Sequence, residues 1–125
     1  MREGDAVLAS LGEQLNSILR STDVRCRYGG DEFIVLLPET ASAGAEIVAT
    51  RIRERVEAAV LTTRDRPVST SVSIGVASYP EHASDLEAVM ERADQALYAS
   101  KEAGRNRVTV APGRASRVSA ASGAA

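Results

Sequence analysis

The stretch Arg25–Pro38 reads RCRYGGDEFIVLLP. It joins a Gly-Gly turn to two adjacent acids and then runs straight into the large apolar residues Phe33, Ile34, Val35, Leu36 and Leu37. A half-exposed strand alternates, so an unbroken apolar run predicts a strand covered on both faces. Ahead of the turn, Val24, Cys26 and Tyr28 alternate with Arg25 and Arg27, which predicts a second strand. The pair makes a β-hairpin whose turn carries Gly29, Gly30, Asp31 and Glu32.

That turn admits two readings. Glycine has no Cβ, so backbone N–H groups there can approach a phosphate, and paired carboxylates at the foot of a rigid strand suit a hard divalent cation. The plainer reading is turn chemistry: Gly-Gly closes hairpins commonly, and two acids keep the turn hydrated.

The residue order Gly29-Gly30-Asp31-Glu32-Phe33 resembles the signature of the GGDEF family of diguanylate cyclases. Ser71-Val72-Ser73-Ile74-Gly75-Val76-Ala77 resembles that family's later strand. Ala93-Asp94-Gln95-Ala96-Leu97-Tyr98, followed by Lys101, Gly104, Arg105 and Asn106, resembles its last helix and the loop beyond. The resemblance runs from Gly4 to about Val110. It implies condensation of two GTP into cyclic di-GMP, each GTP held by one subunit of a homodimer or other oligomer, with Mg²⁺ or Mn²⁺ as cofactor.

By the same resemblance, Asp31 and Glu32 are the catalytic and metal-binding acids, and Gly29 and Gly30 seat the α-phosphate. Asp5 contacts the guanine edge, and Lys101 and Arg105 neutralise the β and γ phosphates. Arg20-Ser21-Thr22-Asp23 stands where the family has its inhibitory R-x-x-D site for cyclic di-GMP, and Arg51 matches the second arginine of that site. Each residue also has a plainer role: Asp5 as a helix cap, Arg20 as a cation at a helix end, and Asp23 as a turn residue. Arg51 fits a solvated helix face, and Lys101 and Arg105 complement the dipole of the last helix.

The opening Met1-Arg2-Glu3-Gly4-Asp5 resembles the end of the family's GH-x-x-GD motif, with Met1 where its His would be. The resemblance therefore implies that the family's first strand, with a metal-binding Asp, and the helix bearing its guanine-contacting Asn are missing. The implied fold is an α+β two-layer sandwich, a mixed β-sheet with helices of the nucleotide-cyclase or polymerase-palm kind, lacking that first strand. Unpaired strand edges, strand swapping or oligomerisation are the expected consequences. Two alternatives stand beside an active cyclase: a catalytically impaired cyclic di-GMP-binding module, and an inert dimerising fragment.

Composition sets the frame for these readings. The chain has 125 residues, enough for one domain with a modest core, read here as 1–110, with 111–125 as a disordered tail. Apolar residues make up 44% of it, and no run approaches the ~18 to 20 apolar residues of a membrane span. A net charge of -2 and 3% aromatics argue against a nucleic-acid surface. The absence of signal-peptide features and of a disulfide framework predicts a reducing, cytoplasmic setting. Cys26 reads as a small buried strand residue, and His82 as part of a surface loop without metal-ligand spacing.

In chain order, Asp5–Leu19 and Ala41–Leu61 read as amphipathic helices, and Thr62–Pro67 as a polar connection. Val68–Ser78 reads as a period-two strand whose small residues on one face permit close approach of a helix or ligand. Ser84-Asp85-Leu86-Glu87 reads as a capping box for a helix with Leu86, Val89, Met90, Ala93 and Leu97 on its buried stripe, ending at Gly104. Val108–Val110 closes the order.

Overall fold

The computed structural model describes residues 3–28, 32–63 and 66–113. The first helix, α1 (Glu3–Ile18), leads into the hairpin strands β1 (Val24–Arg27) and β2 (Phe33–Leu36). After α2 (Ser42–Ala58) come β3 (Val60–Thr63), β4 (Arg66–Ser69) and β5 (Ile74–Val76), then α3 (Leu86–Glu102) and β6 (Val108–Val110). The described strands form three two-stranded sheets: β1–β2 and β3–β4 antiparallel, β5–β6 parallel.

Helix α2 packs against α1, β5 and β6. Its Ile52 and Val56 meet Leu15 of α1, with Phe33, Val35, Val72 and Ile74 packed around them. Its Ala45 and Ala49 meet Val76 of β5, with Val108 and Val110 beside them. Alanines on that stretch let the strands lie close to the helix. The N-cap, Ala41, has no side chain to offer, and Glu81 supplies the missing acceptor from a distant loop. It takes hydrogen bonds from the Ser42 N–H at 3.1 Å and the Ser42 Oγ at 2.9 Å.

The parallel pair β5–β6 is joined through α3, a βαβ unit built on close approach. A Cβ at Gly75 would lie 2.2 Å from the Ala93 carbonyl oxygen and 2.3 Å from the Leu97 nitrogen, so only glycine lets the helix sit there. Ser100, fully buried at 0% exposure, donates to the Ile74 carbonyl at 2.9 Å and shares a 2.6 Å hydrogen bond with Thr109. The small residues of this strand thus serve a helix.

Several expectations are corrected. Of the expected connection Thr62–Pro67, Thr62, Thr63, Arg66 and Pro67 are strand residues of the β3–β4 hairpin, with Thr62 opposite Pro67. Residues 64–65 lie outside the described residues, and α2 ends at Ala58. The long strand expected over 68–78 breaks into β4 and β5. Leu36 and Val24 face solvent at 43% and 51% exposure, so β2 is covered on one face only, and Cys26 is exposed. Asp85, not Ser84, caps α3, accepting from the Ala88 N–H at 2.8 Å. Leu86 and Met90 face outward, and Ala96 and Ser100 are the buried residues of α3. His82 is buried, its Nδ1 accepting from the Ser78 N–H at 2.8 Å. Ala111 is buried and its N–H donates to the Val76 carbonyl; residues 114–125 of the expected tail lie outside the described residues.

Candidate functional site

The hairpin turn is closed by the Tyr28 N–H donating to the Glu32 carbonyl at 2.8 Å. Register pairs Arg27 with Phe33, and three residues separate Tyr28 from Glu32 in the sequence. These are Gly29, Gly30 and Asp31, and their structure lies outside the described residues. Glu32 is half-buried at the foot of β2. Among the described residues no three His, Cys, Asp or Glu side chains gather at one point, and Asp31 itself lies outside those residues. Asp31 and Glu32 both carry carboxylate oxygens, the donor type Mg²⁺ takes. Asp5 lies within α1, which already includes Glu3 and Gly4, so it is not the helix cap.

The second cluster is the end of α3. The Gly104 N–H reaches the Lys101 carbonyl at 3.4 Å and the Arg105 N–H reaches the Ser100 carbonyl at 2.9 Å, the paired bonds of a Schellman turn. Gly104 takes φ 124°, and Arg105 and Asn106 follow with φ 62° and 47°. The helix therefore stops at Glu102, and Arg105 stands on a left-handed turn beyond it instead of on a continuing helical face. Lys101 is half-buried and Arg105 exposed, and neither side chain has a hydrogen-bond or ion-pair partner among the described residues. Two uncommitted cations on a fixed turn are suited to an anion with several charges.

The third cluster surrounds Arg20. Its Nη2 lies 3.2 Å from Asp23 Oδ1 and also donates to the Pro38 carbonyl at 3.2 Å and Thr40 Oγ1 at 3.0 Å. Asp23 also accepts from the Arg20 N–H at 2.8 Å, which, ahead of the guanidinium, holds its carboxyl below the usual carboxylate range. The Asp23 side chain is 3% exposed and the Arg20 side chain 60%, so the acid is spent on aiming the arginine while the arginine still meets solvent. No hydrogen bond or ion pair joins Arg51 to either residue; it lines a shallow groove with Glu54, Arg55 and Ala58 on α2.

Two other arginines of α2, Arg53 and Arg55, are engaged by side-chain hydrogen bonds. Arg55 donates to Ser17 Oγ at 2.9 Å, and Arg53 reaches Glu57 and Asn106. Thr40, Ser100, Arg53 and Glu57 had no signal in sequence periodicity, because each acts across a tertiary contact. Asn106 did carry one: asparagine after a glycine turn tolerates the left-handed region.

Residues 1–107 match the family described as "Diguanylate cyclase, GGDEF domain". This chain belongs to that family. Among GGDEF relatives, Diguanylate cyclase A of Treponema denticola is 43% identical over 107 residues, which take in 86% of this chain and 29% of that protein. The response regulator PleD of Caulobacter vibrioides is 39% identical over 107 residues, 84% of this chain and 24% of that protein. The chain thus spans less than a third of the length of these curated relatives. Among solved structures, the GGDEF domain of TpbB from Pseudomonas aeruginosa superposes with TM-score 0.79 at 37% identity, covering 86% of this chain and 67% of that one. The GGDEF domain of DgcB from Caulobacter crescentus, solved in complex with c-di-GMP, gives TM-score 0.75 at 34% identity, covering 85% and 63%. The fold is the α+β arrangement of these domains, and no helix among the described residues is long and apolar enough to cross a membrane.

Proposed function

We propose that this chain is the nucleotide-handling part of a diguanylate cyclase, a nucleotidyltransferase that makes cyclic di-GMP from two GTP. The observation that carries the proposal is the pair of unspent cations, Lys101 and Arg105, on the locked turn after α3 in a chain that also bears Gly29-Gly30-Asp31-Glu32. In this reading Lys101 and Arg105 neutralise the β and γ phosphates, Gly29 and Gly30 seat the α-phosphate, and Asp5 accepts from guanine. The 3′-hydroxyl of one GTP attacks the α-phosphate of the other and displaces pyrophosphate, each nucleotide being held by one subunit of a dimer. Asp31 and Glu32 would hold Mg²⁺ or Mn²⁺, which when bound offsets the charge that builds on the phosphoryl oxygens. Such a domain works where GTP is, in the cytoplasm.

Arg20, aimed by Asp23 and Thr40, and Arg51 on α2 form the inhibitory site for the product. The DgcB complex supports this reading, since a relative of the same fold was solved with c-di-GMP. Because Asp23 is committed to Arg20, its part is to orient the guanidinium toward guanine or phosphate oxygens.

The test is incubation of the purified chain with GTP and Mg²⁺, with chromatographic detection of cyclic di-GMP. Product that disappears in Asp31→Ala is the expected result. A folded chain that makes none loses the cyclase reading. Cyclic di-GMP titration of that chain and of Arg20→Ala then separates a receptor from an inert fragment, since the committed Arg20 cluster by itself favours binding without turnover.

A further inference from the structure

Arg53 and Glu57 stand one turn apart on α2 and both reach Asn106, in the loop that carries Arg105. Arg53 Nη1 donates to Asn106 Oδ1 at 3.2 Å and to Glu57 Oε1 at 3.3 Å, and Asn106 Nδ2 donates to Glu57 Oε2. The three side chains close a ring of hydrogen bonds. The Asn106 N–H adds a fourth tie, donating to Ser73 Oγ at 3.2 Å. Hydrogen bonds from Asn106 and then Arg53 also hold the Glu57 carboxyl below its usual range, so the ring keeps its charges across neutral pH.

The end of α3 does not need this ring to stay folded. Ser100 anchors it to Ile74 and Thr109, and the Schellman bonds fix Gly104 and the Arg105 nitrogen. What the ring adds is the position of the following turn relative to α2. Arg105 and Asn106 hold left-handed backbone at φ 62° and 47°, a region that asparagine tolerates but arginine seldom occupies, so the ties at Asn106 help to hold Arg105 there. Glu57 has a side chain 51% exposed, so its removal opens no cavity.

We propose that Arg53, Glu57 and Asn106 are positioning residues that set the Lys101–Arg105 turn at the distance a triphosphate needs, so that they control affinity for GTP much more than for GMP. The proposal rests on the reading of Lys101 and Arg105 as phosphate ligands.

The experiment is calorimetric titration of the full chain with GTP and with GMP, each with Mg²⁺, for the native protein, Lys101→Ala, Glu57→Ala, Glu57→Gln and Asn106→Gly, with melting curves alongside. Asn106→Gly keeps the left-handed backbone while deleting the ring. Expected are a roughly tenfold weaker GTP affinity in Glu57→Ala and in Asn106→Gly, a change under about twofold for GMP, and partial recovery in Glu57→Gln, whose amide oxygen still accepts. A variant carrying both Glu57→Ala and Asn106→Gly is expected to match the worse of the two single ones, since both act through one ring. Unchanged GTP affinity in both ring variants, with Lys101→Ala weakened, overturns the proposal and leaves the phosphate site standing. Equal losses for GTP and GMP with a lowered melting temperature also overturn it, because the ring is then merely structural. GTP binding that ignores Lys101→Ala, or is absent in the native chain, removes the phosphate reading and the ring proposal with it.

Discussion

The hairpin β1–β2 and the unit β5–α3–β6 are both read from apolar strands, yet the structure treats them differently. Every residue of β1 is exposed, and β2 is only half-covered, its Phe33 and Val35 turned to the core and its Leu36 to water. In the second unit a helix lies so close to β5 that only Gly75 fits beneath it, and a fully buried serine ties helix to both strands. Local stability should follow coverage. Glu32 thus lies at the foot of the loosely covered half, and the turn with the two cations lies on the tightly built one.

The largest effect is expected from Gly75→Ala. Its new methyl would strike backbone atoms of α3 at distances no side chain shift relieves, so the βαβ unit must open, at ~3 kcal/mol or more by the scale of overpacking. Thermal melting checks this; a melting temperature within two or three degrees of the native one, on the order of 0.5 kcal/mol, would show that the two halves are not so different. Next comes Ser100→Ala, which strands the Ile74 carbonyl and Thr109 Oγ1 in a dry site and should cost about 1–3 kcal/mol in denaturant unfolding.

A pH effect ranks third. Burial, against the pull of Glu81, lowers the pKa of His82, while the unfolded ring keeps its usual value of about 6.5. The folded state therefore favours the neutral ring, and the stability it contributes, whole above pH about 6.5, is lost as pH falls through the lowered folded value. In His82→Asn, whose Oδ1 can accept from the Ser78 N–H in place of Nδ1, the melting temperature should lose this part of its decline between pH 7 and about 5. An unchanged decline would assign it to other groups. Smallest of all, Val24→Thr on the open face of the hairpin should shift stability by no more than ~0.5 kcal/mol. A larger loss would mean that this face is covered in solution.

The same contrast explains what the sequence disclosed. Helical stripes such as Leu11, Leu15 and Ile18 announced themselves by period, and Gly29-Gly30 announced a hairpin, because local chemistry decides both. Apolar content could not say which face of β2 would be covered, since coverage comes from other segments. The β3–β4 hairpin hid behind Arg and Pro residues, which read as connection; Pro67 is tolerated in a two-stranded pair, where one side of each strand is an edge. Glu81 capping a helix that begins 39 residues earlier, and Asn106 bonded to Arg53 and Glu57, are tertiary facts with no local pattern. The candidate cations Lys101 and Arg105 stand in a motif of their own, whereas the contacts that join Arg53 and Glu57 to the loop after α3 leave no local pattern.

The most direct test of the account is amide chemical-shift mapping of the chain on addition of GTP and Mg²⁺. The predicted result is that shifts concentrate at Lys101–Arg107 and at Tyr28–Phe33, with β3–β4 unmoved. GTP binding that leaves both of those segments unperturbed would contradict it.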